Sequence, residues 1–262
     1  MNNKSVNPWL TFPAPNPAAS LTLFCFPYAG GRPFTFRRWH EQLPAQVEVC
    51  IAQAPGRFGP HPKRQSFTRL GPLVDEIAQI IHPYLNKPFA FFGHSMGAIT
   101  AFELAHVLRT RYAAEARHLF VSGHRAPQLP NLEPLTYDLP EPEFLKELER
   151  LKGTPPEVLR NEELMALMMP QLREDFEIVQ TYTYSHREPS NVPMTAFGGL
   201  QDEDVAREQI EAWRKQTTGP FSLHMLPGDH FFLEKVRPEL LSLISQDLSQ
   251  YLQPYYQSHA SY

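Results

Sequence analysis

Short runs of apolar, β-branched and aromatic residues recur along the chain, at Leu21 to Phe26, Val47 to Ala52, Phe89 to Phe92, His118 to Ser122, Pro193 to Phe197 and Phe221 to Leu226. Each is the length of a strand, and each is apolar at most positions, as strands buried on both faces are. Between most of them the apolar residues return at helical spacing, over Phe34 to Leu43, Arg69 to Leu85, Met96 to Arg109, Val205 to Gln216 and Pro238 to Leu252. Strand and helix in alternation predict an α/β fold: a mostly parallel central sheet with helices on both faces.

The alternation stops between His124 and Pro193. Three amphipathic segments follow one another there, Glu141 to Lys152, Pro156 to Met169 and Pro170 to Tyr184, with no strand signal between them. Leu145, Leu148 and Leu151, then Leu164, Leu167 and Met168, fall at helical spacing and suit packing over an apolar surface. The expected organisation is therefore a core of residues 1–124 and 191–262, interrupted by a helical lid at 125–190. The plainer alternative is a run of helices in the core layer.

At 262 residues, 42% hydrophobic and 20% charged, the chain can bury one sizeable core. The net charge of −4, without a long Lys/Arg run, offers no footprint for nucleic acid or an anionic membrane. No apolar segment approaches the roughly 20 residues of a spanning helix. The polar, proline-rich start is unlike a secretory signal, and a cytoplasmic protein is expected. Nothing in the chain demands more than a monomer. Both cysteines, Cys25 and Cys50, sit inside apolar runs, where small buried thiols are expected.

One turn carries chemistry. In FAFFGHSMGAITAFELA a strand ends near Phe92 and a helix begins just after Ser95, leaving room only for a sharp bend. Gly93 and Gly97 stand where a Cβ would crowd the bend, the pattern of a nucleophile elbow. Such a turn lifts a serine hydroxyl above the carboxyl edge of the sheet, beside helix N–H groups that can hold an anion. Helix capping by Ser95 is the plainer alternative.

A serine hydroxyl needs a base, and the base needs an orienting acid. QDEDV follows the strand PMTAFGGL, and PGDHFFL follows FSLHML. These place Asp202 and His230 past the ends of consecutive strands, in the order Ser, Asp, His. Asp204 could also reach an imidazole; the Gly-x-x-Asp interval from Gly199 favours Asp202. His40, His82, His106, His118 and His224 fall within helical or strand patterns and suit structural roles. His94 belongs to the bend itself, where a shaping role is expected.

The oxyanion needs two donors. One is expected to be the N–H of Met96, after the nucleophile, and the other the N–H of Ala29 in FPYAGG, the loop after the first long strand; Tyr28 of that loop is a candidate substrate contact. The histidines and cysteines show no metal-ligand spacing, and the chemistry calls for no cofactor.

CFPYAGG at Cys25 to Gly31, APGR at Ala54 to Arg57, FFGHSMGA at Phe91 to Ala98, LKGTPPEVL at Leu151 to Leu159, LREDFEIVQTYTY at Leu172 to Tyr184 and LPGDHFFL at Leu226 to Leu233 resemble the type II thioesterases of nonribosomal peptide and polyketide synthesis. The resemblance runs from about Trp9 to the last helix. It implies the α/β-hydrolase fold, and Ser95 as nucleophile, Asp202 as acid and His230 as base. Members often read Asp-Pro-x-Val where this chain has Asp202-Glu203-Asp204-Val205. The implied reaction is hydrolysis of acyl or aminoacyl thioesters on the phosphopantetheine arm of carrier protein domains, which would be the partners. Leu145, Leu148, Leu164, Met168 and Met169 are expected to line an acyl chamber under the lid. Arg32, Arg37, Arg38, Arg57, Lys63 and Arg64 could border its entrance for an acidic carrier. A small-molecule esterase or lipase, or a product-releasing thioesterase, would keep the same triad.

Overall fold

The computed structural model describes residues 7–54 and 65–252. Over these residues β1 (Leu10–Thr11), β2 (Leu21–Phe26) and β3 (Val47–Ala52) are followed by α1 (Leu70–Ile81), β4 (Phe89–His94), α2 (Met96–Tyr112) and β5 (Leu119–Ser122). Then come α3 (Glu141–Leu151), α4 (Pro156–Leu159) and α5 (Glu162–Thr181). The chain closes with β6 (Met194–Gly199), α6 (Arg207–Glu211), β7 (Phe221–Leu226), α7 (Phe232–Lys235) and α8 (Arg237–Leu248). The strands form one sheet in the order β1-β3-β2-β4-β5-β6-β7. Every pairing is parallel except that of β1 with β3.

Strand periodicity divides the core. Phe24, Phe26, Phe89 and Phe91 point to the side covered by α1 and α2. Leu21, Leu23, Cys25, Ala90 and Phe92 point to the side covered by α7, α8 and the aromatic pair Phe36 and Trp39. Both faces are dry, which is why these strands read as continuous apolar runs. Phe92 is fully buried, with the Trp39 ring 4.7 Å away; truncating such a ring to alanine costs about 3–5 kcal/mol. Cys25 and Cys50 are buried free thiols whose pKa values burial pushes well above the ordinary range. No described helix is long and apolar enough to cross a membrane.

Three expectations need correction. The helix read over Phe34 to Leu43 is two separate 3₁₀ turns, Pro33–Phe36 and Trp39–Glu41. Phe36 and Trp39, three residues apart, turn inward together onto Phe92. The helix read over Val205 to Gln216 is α6 followed by a 3₁₀ turn, Ala212–Gln216. The helical segment between β5 and β6 does not break at Pro170: α5 runs straight through it. Pro170 is exposed, so the carbonyl that its missing N–H leaves unpaired faces water, while Met168, Met169 and Leu172 pack inward. Phe144, Leu148, Met165, Met168, Met169 and Leu172 make a third apolar cluster there, separate from the two faces of the sheet.

Parallel pairing aligns the carboxyl ends of β2, β4, β5, β6 and β7 along one edge. The Tyr28 loop, Ser95, Gly123 to Arg125, Asp202 and His230 all lie just beyond it, where open α/β sheets bind ligands.

Candidate active site

Ser95 holds φ 52° and ψ −117°, a region that side chains other than glycine rarely occupy. Such a backbone costs about 1–3 kcal/mol and survives only where its surroundings over-determine it. Here they do. Ser95 N–H donates to the Ser122 carbonyl at 2.7 Å, and the Ser95 carbonyl accepts from Ala98 N–H at 2.9 Å. A Cβ on Gly93 would strike the Gly97 carbonyl, and one on Gly97 would strike the Phe26 carbonyl. The two glycines thus let the first turn of α2 press against β4 and β2.

Beyond β7, His230 Nδ1 lies 2.8 Å from Asp202 Oδ2. The Asp202 side chain is fully buried, and its Oδ1 accepts from the N–H groups of Asp204 at 2.9 Å and Val205 at 3.1 Å. Both oxygens are therefore engaged, and the carboxylate cannot turn. Gly199 permits the approach: a Cβ there would sit 2.5 Å from the Asp229 carbonyl oxygen, on the loop that carries His230. Asp204 points elsewhere, its Oδ1 pairing with Arg150 Nη1 of α3 at 2.7 Å. Asp229 pairs with Lys235 at 2.9 Å and accepts from Phe231 N–H, and that lysine holds its carboxyl below the usual range.

His94 is buried and bonds through Nδ1 to Ser122 Oγ at 2.9 Å. Its ring lies 5.2 Å from that of His230. Burial first, and the His230 charge second, push its pKa well below the ordinary value. It stays neutral, and so supports the neighbouring imidazole without adding a competing charge. His124, also buried, is lowered to about 3 by desolvation.

Ser95, His230, Tyr28 and Ala29 line one cavity of about 140 Å³. Met96 opens α2, so its N–H has no acceptor within the helix. The Ala29 N–H takes no hydrogen-bond partner among the described residues. The far wall comes from the helical segment, through Leu148, Leu151, Leu172, Phe176 and Val179. Of the residues expected to line an acyl chamber, Leu148 alone does so, and Tyr28, the candidate substrate contact, lines the cavity beside it. Leu145 and Met169 border a different depression, on the outer side between α3 and α5. Leu164 is 39% exposed, and Met168 is buried within the third cluster, where its Sδ accepts from Arg32 Nη2 at 3.4 Å. Leu172, Phe176 and Val179, at i, i+4 and i+7 on α5, share one helical face inside the segment read from Pro170 to Tyr184; which face of that segment meets the cavity is set by how α5 packs on the Tyr28 loop.

Of the basic residues expected at the entrance, Arg57, Lys63 and Arg64 lie outside the described residues. Arg38 pairs with Glu41 at 2.8 Å, and Arg37 is exposed. No group of three or more His, Cys, Asp or Glu able to hold a metal ion occurs among the described residues.

A model of the thioesterase domain matches residues 21–248. A relative from Brevibacillus parabrevis, named linear gramicidin dehydrogenase LgrE, is 44% identical over 260 residues, spanning 97% of this chain and 98% of that one. The solved structure of RedJ, a thioesterase from the prodiginine pathway of Streptomyces coelicolor, superposes with a TM-score of 0.80 at 37% identity, over 88% of this chain and 87% of that one. The type II thioesterase BorB of the borrelidin cluster gives a TM-score of 0.83 at 30% identity, over 92% and 98%. A strained serine elbow, a histidine in the same cavity backed by a buried aspartate and a family match over most of the sheet agree: the chain belongs to the thioesterase family, hydrolases of α/β-hydrolase fold acting on thioesters, and is akin to its type II members.

Proposed function

We propose that this protein is an editing thioesterase of nonribosomal peptide or polyketide synthesis, which hydrolyses acyl or aminoacyl groups from the phosphopantetheine arm of carrier domains. The observation that carries the reading is the 2.8 Å contact of the buried Asp202 with His230, which lines one cavity together with Ser95. In this reading the Nδ1–H of His230 donates to Asp202, which leaves Nε2 basic. Ser95 Oγ attacks the thioester carbonyl as its proton passes to Nε2. The N–H groups of Ala29 and Met96 hold the oxyanion. The intermediate collapses, the C–S bond breaks, and the thiolate leaves with the proton from His230. Water then attacks the acyl-serine, giving its proton to Nε2; the acid departs and Ser95 recovers its hydrogen.

Helices α3 to α5 act as a lid over residues 125–190, limiting water while a thin arm enters. A cytoplasmic, monomeric enzyme working on separate carrier domains completes the proposal. The word dehydrogenase in the name of one relative finds no support in the turn after β2, which reads PYAGGRP and lacks the Gly-x-Gly-x-x-Gly spacing that seats a dinucleotide.

The test is a carrier domain loaded with short, long and aminoacyl groups, with release followed by intact mass. Wild-type protein should free the acyl groups and Ser95→Ala should not. Equal release by both, or faster turnover of simple oxygen esters than of every carrier thioester, would overturn the proposal.

A further inference from the structure

The segment LREDFE, Leu172 to Glu177, stands out in the sequence, and the hydrolytic steps leave its aspartate without a task. Asp175 lies on α5 with its side chain fully buried. Its Oδ2 accepts the N–H of Gly30 at 2.8 Å, across 145 residues of chain, and lies 3.4 Å from Gln171 Nε2. Gly30 is the third residue of a tight turn, Tyr28 to Gly31, closed by the Gly31 N–H on the Tyr28 carbonyl at 2.8 Å. Its φ of 71° is the conformation a type II turn demands at that place. Leu172, one helical turn before Asp175, packs where a Cβ on Gly30 would be, its Cδ2 only 2.5 Å from that point. On the other flank, Gln53 Nε2 donates to the Gly31 carbonyl at 2.8 Å.

Ala29 is the second residue of this turn. Its N–H can serve an oxyanion only while the turn keeps its geometry, and the contact from α5 falls on the very next amide. The same helix lines the acyl cavity through Leu172, Phe176 and Val179.

We infer that Asp175 is a positioning residue for the oxyanion loop: through Gly30 N–H it ties the placement of the Ala29 N–H to the helix that forms the acyl wall. The inference rests on the reading of Ala29 as an oxyanion donor. A displacement near 1 Å at a reacting centre costs about a hundredfold in rate, and loss of an oxyanion donor costs about 10²–10³. Without Asp175 the turn keeps its own closing bond and the Gln53 contact, so a smaller loss follows, about tenfold to a hundredfold in kcat, with KM little changed.

The experiment compares wild type, Asp175→Ala and Asp175→Asn on an acyl thioester, and measures the binding of two substrate-like ketones. A trifluoromethyl ketone adds the serine oxygen and becomes a tetrahedral oxyanion; the matching methyl ketone stays trigonal. Asp175→Ala should lose trifluoromethyl ketone affinity by the factor it loses in kcat, and keep methyl ketone affinity. Asp175→Asn, whose amide oxygen can still accept from Gly30, should recover most of the kcat. Wild-type kcat in Asp175→Ala, or equal loss of affinity for both ketones, would overturn the inference. So would an Asp175→Asn protein that folds yet loses kcat as far as Asp175→Ala. If the wild type hydrolysed no thioester, the functional reading would fall by itself, and the ketone pair would still report on the loop.

Discussion

Replacing Asp202 by asparagine keeps the shape of the side chain and changes one atom that accepts into one that donates. Two backbone N–H groups, of Asp204 and Val205, point at Oδ1. An asparagine must present its oxygen to them, because turning its NH₂ toward two donors would leave three buried groups unpaired at about 1–3 kcal/mol each. The NH₂ is then forced toward His230 Nδ1, which must become the acceptor. The ring proton moves to Nε2, and in the proposed mechanism the histidine can no longer take a proton from the serine. Where this tautomer error has been made in serine proteases, kcat falls by about 10⁴, equivalent to ~5.4 kcal/mol. The same loss is expected here, whereas Asp204→Asn disturbs only the contact with Arg150 and should cost no more than about threefold. Steady-state release of free thiol from an acyl thioester reads both variants. Retention of a tenth or more of kcat in Asp202→Asn, or an equal loss in Asp204→Asn, would refute the reasoning.

Acidification should destabilise the fold below pH 6.5. Burial lowers His118 to about 4 and His124 to about 3, so between those values and 6.5 the unfolded chain binds protons that the folded chain refuses. Stability is full above the unfolded value near 6.5 and declines as pH falls, by about 2 kcal/mol for each histidine at pH 5. Urea midpoints measured from pH 7.5 to 5 should show this decline, and a flat profile would contradict it. Phe176→Ala should enlarge the acyl cavity and shift kcat/KM toward bulkier acyl groups by about tenfold, while Leu164→Ala should leave the ratio unmoved. A competition assay with short and long thioesters separates the two.

Much of this molecule is legible in local patterns. Strands β2, β3 and β7 run over the spans their apolar runs predict, because a strand buried on both faces must be apolar at nearly every position. β1 went unread because two residues carry no period, and its pairing with β3 is the only evidence of it. The bend at Ser95 announces itself through Gly93, whose added Cβ would meet Gly97 four residues on, while the need for Gly97 itself comes from the close pass of Phe26 in β2.

What sequence alone determined is therefore the order of strands and helices, the serine turn and the order in which serine, aspartate and histidine follow it, all written in short-range steric rules. The interval from Gly199 favours Asp202 over Asp204, and tertiary structure separates the two, setting Asp202 against His230 and Asp204 against Arg150 of α3. Tertiary structure also decided the wall of the cavity, which depends on which face of α5 packs toward the Tyr28 loop and Ser95. The grip of Asp175 on Gly30 joins groups 145 residues apart. No local rule could foresee such a contact, because a carboxylate finds its partner only once the packing of α5 on the Tyr28 loop has brought the two together.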